Sequence, residues 1–483
     1  MSLRRLTRLL INRNASGTWG DLTADIYNAL LGVVILIAML WIPLQRASEA
    51  PGSAAPLRLD PEWLVVIGCA WALSLLVALM SRIGPVALTS AQSRWWLPSL
   101  EDRAGLLAPV LWMRWGVAAA AGGAIGLLLS VGLAMPVVTT IVSASLLSTA
   151  AVSLLVLRQP SRRDSLWPDV LVAVVPVVGV VLVTAPIPAP TLSSDLLVAV
   201  AVLLALTLGV SALGALRALP RIHDGDLARA ARTAGQLGSA VLELNAREFS
   251  RALERPARRT SRHSLSFVRV RGPMRAIAAA DTTRLARSPR HLAQIAVAVA
   301  AVVITASLSV YSPVVTVLVL IVAGYGAALA TAEGPRRAQL SPALDSLLPL
   351  SAARTRAARL ILPSAAMAIA ATAMTAIIGL RAGELTGFAL LGLIGAPVWA
   401  AAALRGAYRE QRQLSGVVVP TPMGAFPADA AQVFGTGIDL AVFALIPTWI
   451  AVLLSTATWQ LTLAQAACSA LATWLVVHAA GRR

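Results

Sequence analysis

The chain has 483 residues, of which 58% are hydrophobic and only 13% charged, and this composition excludes an ordinary soluble domain. A formal net charge of +18 is compatible with nucleic-acid binding, but all but three of the 40 basic residues fall on one side of the topology derived below. The exceptions are Arg46, Arg58 and Arg381. This asymmetry follows the positive-inside rule and indicates a basic face toward anionic lipid, so no nucleic-acid partner is expected.

Long apolar segments predict transmembrane helices, because a helix satisfies its own backbone hydrogen bonds in lipid. We predict an all-α polytopic membrane protein with about twelve spans. In chain order the spans are Ile26–Leu44, Trp63–Met80, Trp115–Leu133, Val137–Leu157, Val170–Pro186, Leu196–Leu216, Leu292–Val310, Val314–Thr331, Leu360–Leu380, Leu385–Leu404, Ile438–Leu454 and Leu461–His478. Two of them, Val170–Pro186 and Ile438–Leu454, are short and contain proline, so either is a candidate for a broken or re-entrant segment.

The spans divide into two six-helix halves around one long inner segment. Residues 1–216 form the N-terminal half, which opens with a predicted amphipathic surface helix carrying Leu3, Leu6 and Leu10 on one face. Residues 217–291 form a basic cytoplasmic linker, and residues 292–483 form the C-terminal half. An even number of spans in each half makes the two halves parallel and places both chain ends in the cytoplasm.

The inner loops after the second span of each half have the same order of Gly-Pro, Leu-Pro, Arg and Pro, which suggests that the halves are diverged copies. The first loop reads Gly84-Pro85, Leu97-Pro98, Arg103 and Pro109, and the second reads Gly334-Pro335, Leu348-Pro349, Arg354 and Pro363. From Pro98 to Arg103 and from Pro349 to Arg354 the spacing is the same.

The central segment, Arg217–His291, is strongly basic, with 16 arginines and six acidic residues. Its first part predicts an amphipathic helix with a seven-residue apolar repeat. The stripe consists of Leu227, Ala230, Ala234, Leu237, Val241 and Leu244. Such a stripe needs a partner, either another part of this chain or a second protein.

Every basic residue is arginine, and the sequence contains no lysine. A Walker A motif requires lysine, so the chain has no standard ATPase site of its own, and we expect it not to be an enzyme. Its four histidines are scattered without metal-ligand spacing, so we expect no metal and no cofactor. The span interiors carry no Asp, Glu, Lys or Arg, whereas proton- and ion-coupled carriers place such groups within the membrane.

The order Gly-Pro, Trp, Leu-Pro, Asp-Arg, Leu-Leu across Gly84–Leu107, with six spans per half, resembles an actinobacterial family of ABC-exporter-like permeases of the type 2 class. The resemblance implies a plasma-membrane permease that exports an unknown substrate, for which a hydrophobic molecule is one candidate, and that binds separate ATPase subunits, which hold the ATP. It implies ATPase-coupling elements at Thr89–Leu107 and Ser341–Arg359, with Arg103 and Arg354 contacting the ATPase. The residues assigned to these loops are Gly84, Pro85, Trp95, Trp96, Pro98, Asp102, Arg103, Gly334, Pro335, Asp345, Pro349 and Arg354.

Three further interpretations stay open. A major-facilitator-type carrier also has two six-span halves, and Asp102, Arg103 and Gly105 match part of its loop signature, but Leu106-Leu107 stand where that signature has Arg-Arg. A membrane scaffold without transport activity fits the same composition. The loops could also lie against the membrane without docking on anything, with Trp95 and Trp96 at the interface.

Overall fold

The structure is a computed structural model that describes residues 61–96, 103–133, 135–159, 167–184, 194–242, 272–308, 312–340, 348–408, 418–421, 424–427 and 437–478. The predicted first span, Ile26–Leu44, and the predicted N-terminal surface helix lie outside the described residues. The chain divides into two compact units. The described residues of the first unit lie within 61–175 and 194–242, and those of the second lie within 176–184 and 272–478.

Helices account for nearly all of the described chain. Those up to residue 242 are α1 (Pro61–Ile83), α2 (Ser90–Trp96), α3 (Arg103–Gly132), α4 (Val137–Arg158), α5 (Trp167–Thr184), α6 (Ser194–Ala218) and α7 (Asp224–Leu242). The later ones are α8 (Pro273–Ala286), α9 (Pro289–Ala306), α10 (Pro313–Thr331), α11 (Glu333–Leu340), α12 (Ala352–Ala382), α13 (Leu385–Tyr408), α14 (Ile438–Ala444), α15 (Ile446–Leu454) and α16 (Trp459–His478). A small antiparallel hairpin, β1 (Val418–Thr421) and β2 (Gly424–Pro427), follows α13.

Within the described residues, nine helices are long and apolar enough to cross a membrane. They are α1, α3, α4, α6, α9, α10, α12, α13 and α16. Their outward sides carry exposed aliphatic residues, among them Val210, Val322 and Ile369, each more than 70% exposed. Contiguous apolar surface of this kind needs lipid around it, so the membrane-embedded all-α class is confirmed for the described helices.

Local sequence signals set many helix ends. Proline occupies the first turn of α9 and α10, where its missing N–H costs nothing. The Ser351 hydroxyl accepts from the Arg354 backbone N–H at the start of α12 (3.4 Å), and Gly383 ends that helix with a φ of 76°. At the same end of α12, the Arg381 guanidinium donates to the carbonyls of Ala306 (3.2 Å) and Leu308 (3.0 Å). These backbone carbonyls at the C-terminal end of α9 thereby gain a hydrogen-bond donor.

Glycines allow one close helix pair in each unit. In the first unit, a Cβ on Gly126 of α3 would lie 2.7 Å from the Ile141 Cα of α4. Across the same pair, the Ser148 hydroxyl donates to the Ala118 carbonyl (2.7 Å). In the second unit, Gly392 of α13 packs in the same way on the Ala371 carbonyl of α12. Small residues and interhelical hydroxyl bonds are the usual means by which membrane helices associate.

The proline-containing segment Ile438–Leu454 is broken, as the sequence suggested. It forms two helices, α14 and α15, which meet at Leu445. Pro447, in the first turn of α15, lacks the N–H that would continue one helix through the junction. The indole of Trp449 donates to the Val442 carbonyl (2.9 Å) across the break. The other such segment, Val170–Pro186, contains one continuous helix, α5, over the residues described.

Candidate functional site: the two loop regions

The first loop region, residues 84–103, begins where α1 ends. Gly84 has a φ of 90°, and its N–H donates to the Met80 carbonyl (3.0 Å), which is the left-handed helix cap that glycine adopts without steric cost. A Cβ on Gly84 would also lie 2.9 Å from the Ala230 Cβ of α7. The Gly-Pro pair at 84–85 therefore ends the helix and lets α7 approach the loop.

The segment after Gly84 is buried although it has no regular structure. Val86 and Leu88 are almost wholly buried in the core of the first unit. The side-chain amide of Gln159, at the end of α4, accepts from the Val86 N–H and donates to the Val86 carbonyl (3.4 Å each). A buried loop needs such partners for its backbone, and Gln159 supplies them.

Helix α2 starts with a capping box. The Gln92 N–H donates to the Thr89 hydroxyl (3.2 Å), and the Thr89 N–H donates to the Gln92 side chain (3.0 Å). The adjacent tryptophans at its end have opposite environments: Trp95 is 69% exposed, whereas Trp96 is 8% exposed and belongs to the core cluster of the unit. The expected interface position is thus limited to Trp95, since Trp96 packs inside the protein.

The first loop region ends in an ion pair with the central segment. Arg103 is the first residue of α3, and its guanidinium donates to the carboxylate of Asp224, the first residue of α7. A positive side chain at a helix start is unfavourable by itself, and Asp224 offsets that charge. Leu227, Ala230 and Ala231 of α7 are buried, so the apolar stripe finds its partner, in its described part, within the first unit.

The second loop region, residues 333–359, starts differently. Here Gly334 and Pro335 lie inside the first turn of α11, and Gly334 does not adopt a left-handed conformation. Gly334 lies directly against the carboxylate of Asp281 in α8, so closely that a Cβ would overlap with it. The two Gly-Pro pairs thus have different backbone conformations, but each glycine admits a helix of the central segment.

After residue 347 the second loop region turns into α12. The Leu350 N–H donates to the Leu348 carbonyl (2.7 Å), which makes a tight turn around exposed Pro349. Arg354, in the first turn of α12, is exposed. One turn later, the Arg356 guanidinium donates to the Val476 carbonyl (3.2 Å) at the end of α16 and lies over the Tyr408 ring.

Arg359 ends the second loop region in the interior of the protein. Its guanidinium Nη1 lies 3.6 Å from Asp281 Oδ2, and the two side chains are 8% and 3% exposed. Among the described residues this is the most buried ion pair, and neither charge is on the surface. Asp281 is thus in contact with both ends of this loop region, Gly334 and Arg359.

The structure places the site residues predicted from the sequence in different environments. Pro85, Trp96, Gly334 and Pro335 are buried, and Gly84 lies against Ala230, so these five residues do not present a docking surface. Three others, Pro98, Asp102 and Asp345, lie outside the described residues. Leu106 and Leu107, which replace the Arg-Arg of the carrier signature, are buried, and two arginines there would have to be accommodated in an apolar core.

Sequence reasoning missed the groups that anchor these loops. These groups are single polar residues that belong to no motif in the sequence, and no spacing rule identifies them. They are Asp224, Asp281, Gln159 and Arg359. No group of three or more His, Cys, Asp or Glu that could hold a metal occurs within the described part of the chain.

A family model described as a family of unknown function, DUF6297, matches residues 55–416, three quarters of the chain and including both loop regions. No curated protein and no solved structure matches the sequence significantly.

Proposed function

The chain belongs to the DUF6297 family of unknown function, and from that premise we propose that it is the permease subunit of an ATP-binding-cassette exporter. It has twelve transmembrane helices in two parallel six-helix halves, lies in the bacterial plasma membrane and keeps both termini in the cytoplasm. It has no ATPase activity of its own and works with separate ATPase subunits. Its cargo is unknown, and the Ala-, Gly-, Val- and Leu-rich helices favour a hydrophobic one.

The observation that carries the proposal is a shared construction of the two loop regions. In each, a short helix, α2 or α11, precedes a helix of 30 or 31 residues, α3 or α12. A helix of that length extends about 45 Å, whereas the hydrocarbon core is about 30 Å thick. About ten residues of α3 and of α12 are therefore available outside the hydrocarbon. Two such arms, one in each half, suit the transmission of movement from an ATPase pair.

Exposed groups on the loop regions supply the docking contacts. Trp95 projects from α2, and Arg354 projects from the first turn of α12. An exposed aromatic ring and an arginine are the residue types that dominate binding energy at protein interfaces. The Arg103 guanidinium pairs with Asp224, so Trp95 takes its place in this proposal. Trp95 and Arg354 are the two residues proposed to contact the ATPase directly.

The energy source is external for two reasons. No lysine exists for a Walker A motif, and the interiors of the predicted spans lack the acidic residues of ion-coupled carriers. Binding of ATP on a partner subunit would then drive the change of access between the halves through the two arms.

We expect a gene beside this chain's own to encode an ABC ATPase, and the test is reconstitution of the chain with that ATPase. We expect the two proteins to copurify and the ATPase rate to rise in lipid nanodiscs that contain the permease. Arg354→Glu together with Trp95→Ala should abolish the stimulation, whereas Trp459→Ala, an equally exposed tryptophan on α16, should leave it unchanged. Copurification without any stimulation, or stimulation that survives the double substitution, would contradict the docking assignment.

A further inference from the structure

The central segment contributes one helix to each unit, and each helix reaches a loop region. Helix α7 contacts both ends of the first loop region: Ala230 lies against Gly84, and Asp224 pairs with Arg103. Helix α8 contacts both ends of the second: Asp281 lies against Gly334 and pairs with Arg359. In both units, a glycine at the start of the loop region and an arginine at its end meet the same central-segment helix.

These contacts are unlike the packing of a tether. A solvated linker has no reason to place an aspartate on the arginine of a distant helix, nor to require a glycine on the opposite surface. Burial supports the distinction, because Leu227 of α7 and Ile277 of α8 are both buried. Each loop region is fixed at its two ends by one rigid element.

We infer that the central segment is a positioning element that holds both loop regions in their docking conformation, with Asp224 and Asp281 as the positioning residues. This deepens the proposed function by naming what controls the loop regions. It also makes residues 217–291 more than a connection between halves, since release of α7 or α8 would free the loop of the corresponding unit.

The two ion pairs, Arg103–Asp224 and Arg359–Asp281, differ in strength. The Arg103 and Asp224 side chains are 36% and 58% exposed, so solvent screens their attraction. Loss of an exposed pair shifts a local opening equilibrium by about two- to fivefold. The Arg359–Asp281 pair is buried, and removal of one partner strands the other charge, which shifts the equilibrium by about a hundredfold or more.

Hydrogen–deuterium exchange on the full chain in nanodiscs tests the inference without any ATPase. Asp224→Asn should speed exchange in residues 84–96 by about two- to fivefold and leave residues 333–340 unchanged. The matched control is Asp226→Asn, which removes the same charge from α7 and breaks a pair with Arg229 of the same helix (3.4 Å), while Asp224 stays in place. The charge swap Arg103→Asp with Asp224→Arg should restore the exchange rate of the parent.

In the second unit, Asp281→Asn should speed exchange in residues 333–340 by about a hundredfold or more. Because that variant risks misfolding, Arg359→Lys, which retains the charge, serves as the second variant and should give a smaller increase confined to the same peptides. Unchanged exchange in Asp224→Asn and Arg359→Lys, or a charge swap that fails to restore protection, would overturn the inference. Failure of the proposed function has a different signature, namely the predicted exchange changes in a chain that stimulates no ATPase.

Discussion

Gln465 and Ala444 are joined by a hydrogen bond at the break between α14 and α15: the Gln465 side-chain amide donates to the Ala444 carbonyl over 3.0 Å. The amide oxygen of Gln465 accepts from the Thr448 hydroxyl (2.9 Å), and its nitrogen also donates to Ser469 (3.2 Å). Gln465 is fully buried. One side chain on α16 therefore satisfies polar groups on both sides of the α14–α15 junction.

Gln465→Leu should destabilise the second unit by about 1–3 kcal/mol, because it removes the partner of the buried Thr448 hydroxyl and of the half-buried Ala444 carbonyl. The measurement is the midpoint of thermal unfolding in detergent micelles. Gln460→Leu, at an exposed position near the start of α16, is the matched control and should leave the midpoint unchanged. Equal midpoints for both variants would show that the break does not depend on Gln465.

Gly84→Ala should lower the free energy of unfolding by about 1–2 kcal/mol from the positive φ alone. The added Cβ also presses on Ala230, so Gly84→Ala should cost less in a chain that already carries Ala230→Gly than in the parent, and the difference is the steric part of the loss. Gly225→Ala is the control, because its Cβ would meet no atom within 4 Å and helical glycine costs stability. Loss of stability in Gly225→Ala equal to that in Gly84→Ala would refute the assigned role.

The two adjacent tryptophans should separate stability from docking. Trp96→Ala removes a buried ring and should destabilise the first unit by about 3–5 kcal/mol. Trp95→Ala removes an exposed ring and should change stability by less than about 0.5 kcal/mol, yet it should weaken ATPase binding. Unfolding midpoints and a binding titration on the same samples decide the matter, and a large loss of stability in Trp95→Ala would be the contrary result.

Hydropathy predicted the described membrane helices well, because lipid imposes a simple rule on them. Predicted spans such as Trp63–Met80 and Val137–Leu157 differ from α1 and α4 by only a few residues at each end. The predicted span Trp115–Leu133 covers only the later part of α3, which begins at Arg103. Hydropathy identifies the residues that lipid can surround, but it does not identify the residue at which a helix begins. It therefore does not detect the first part of α3.

The loop regions were predictable as features but not as contacts. Proline, glycine and tryptophan mark them locally, and the amphipathic stripe of α7 signals that a partner is needed. That Asp281 meets both Gly334 and Arg359 depends on residues far apart in sequence. A single acidic residue carries no signal of such a pairing in one sequence.

The central claim is that the two loop regions dock on an ATPase, and site-directed photocrosslinking in living cells tests it most directly. A photoreactive amino acid would replace Trp95 in one strain and Arg354 in another, with Trp459 as the control position on α16. We expect the first two positions to capture the same ABC ATPase and the control to capture none. Crosslinks from positions 95 and 354 to lipid alone, or to proteins other than an ABC ATPase, would contradict the account.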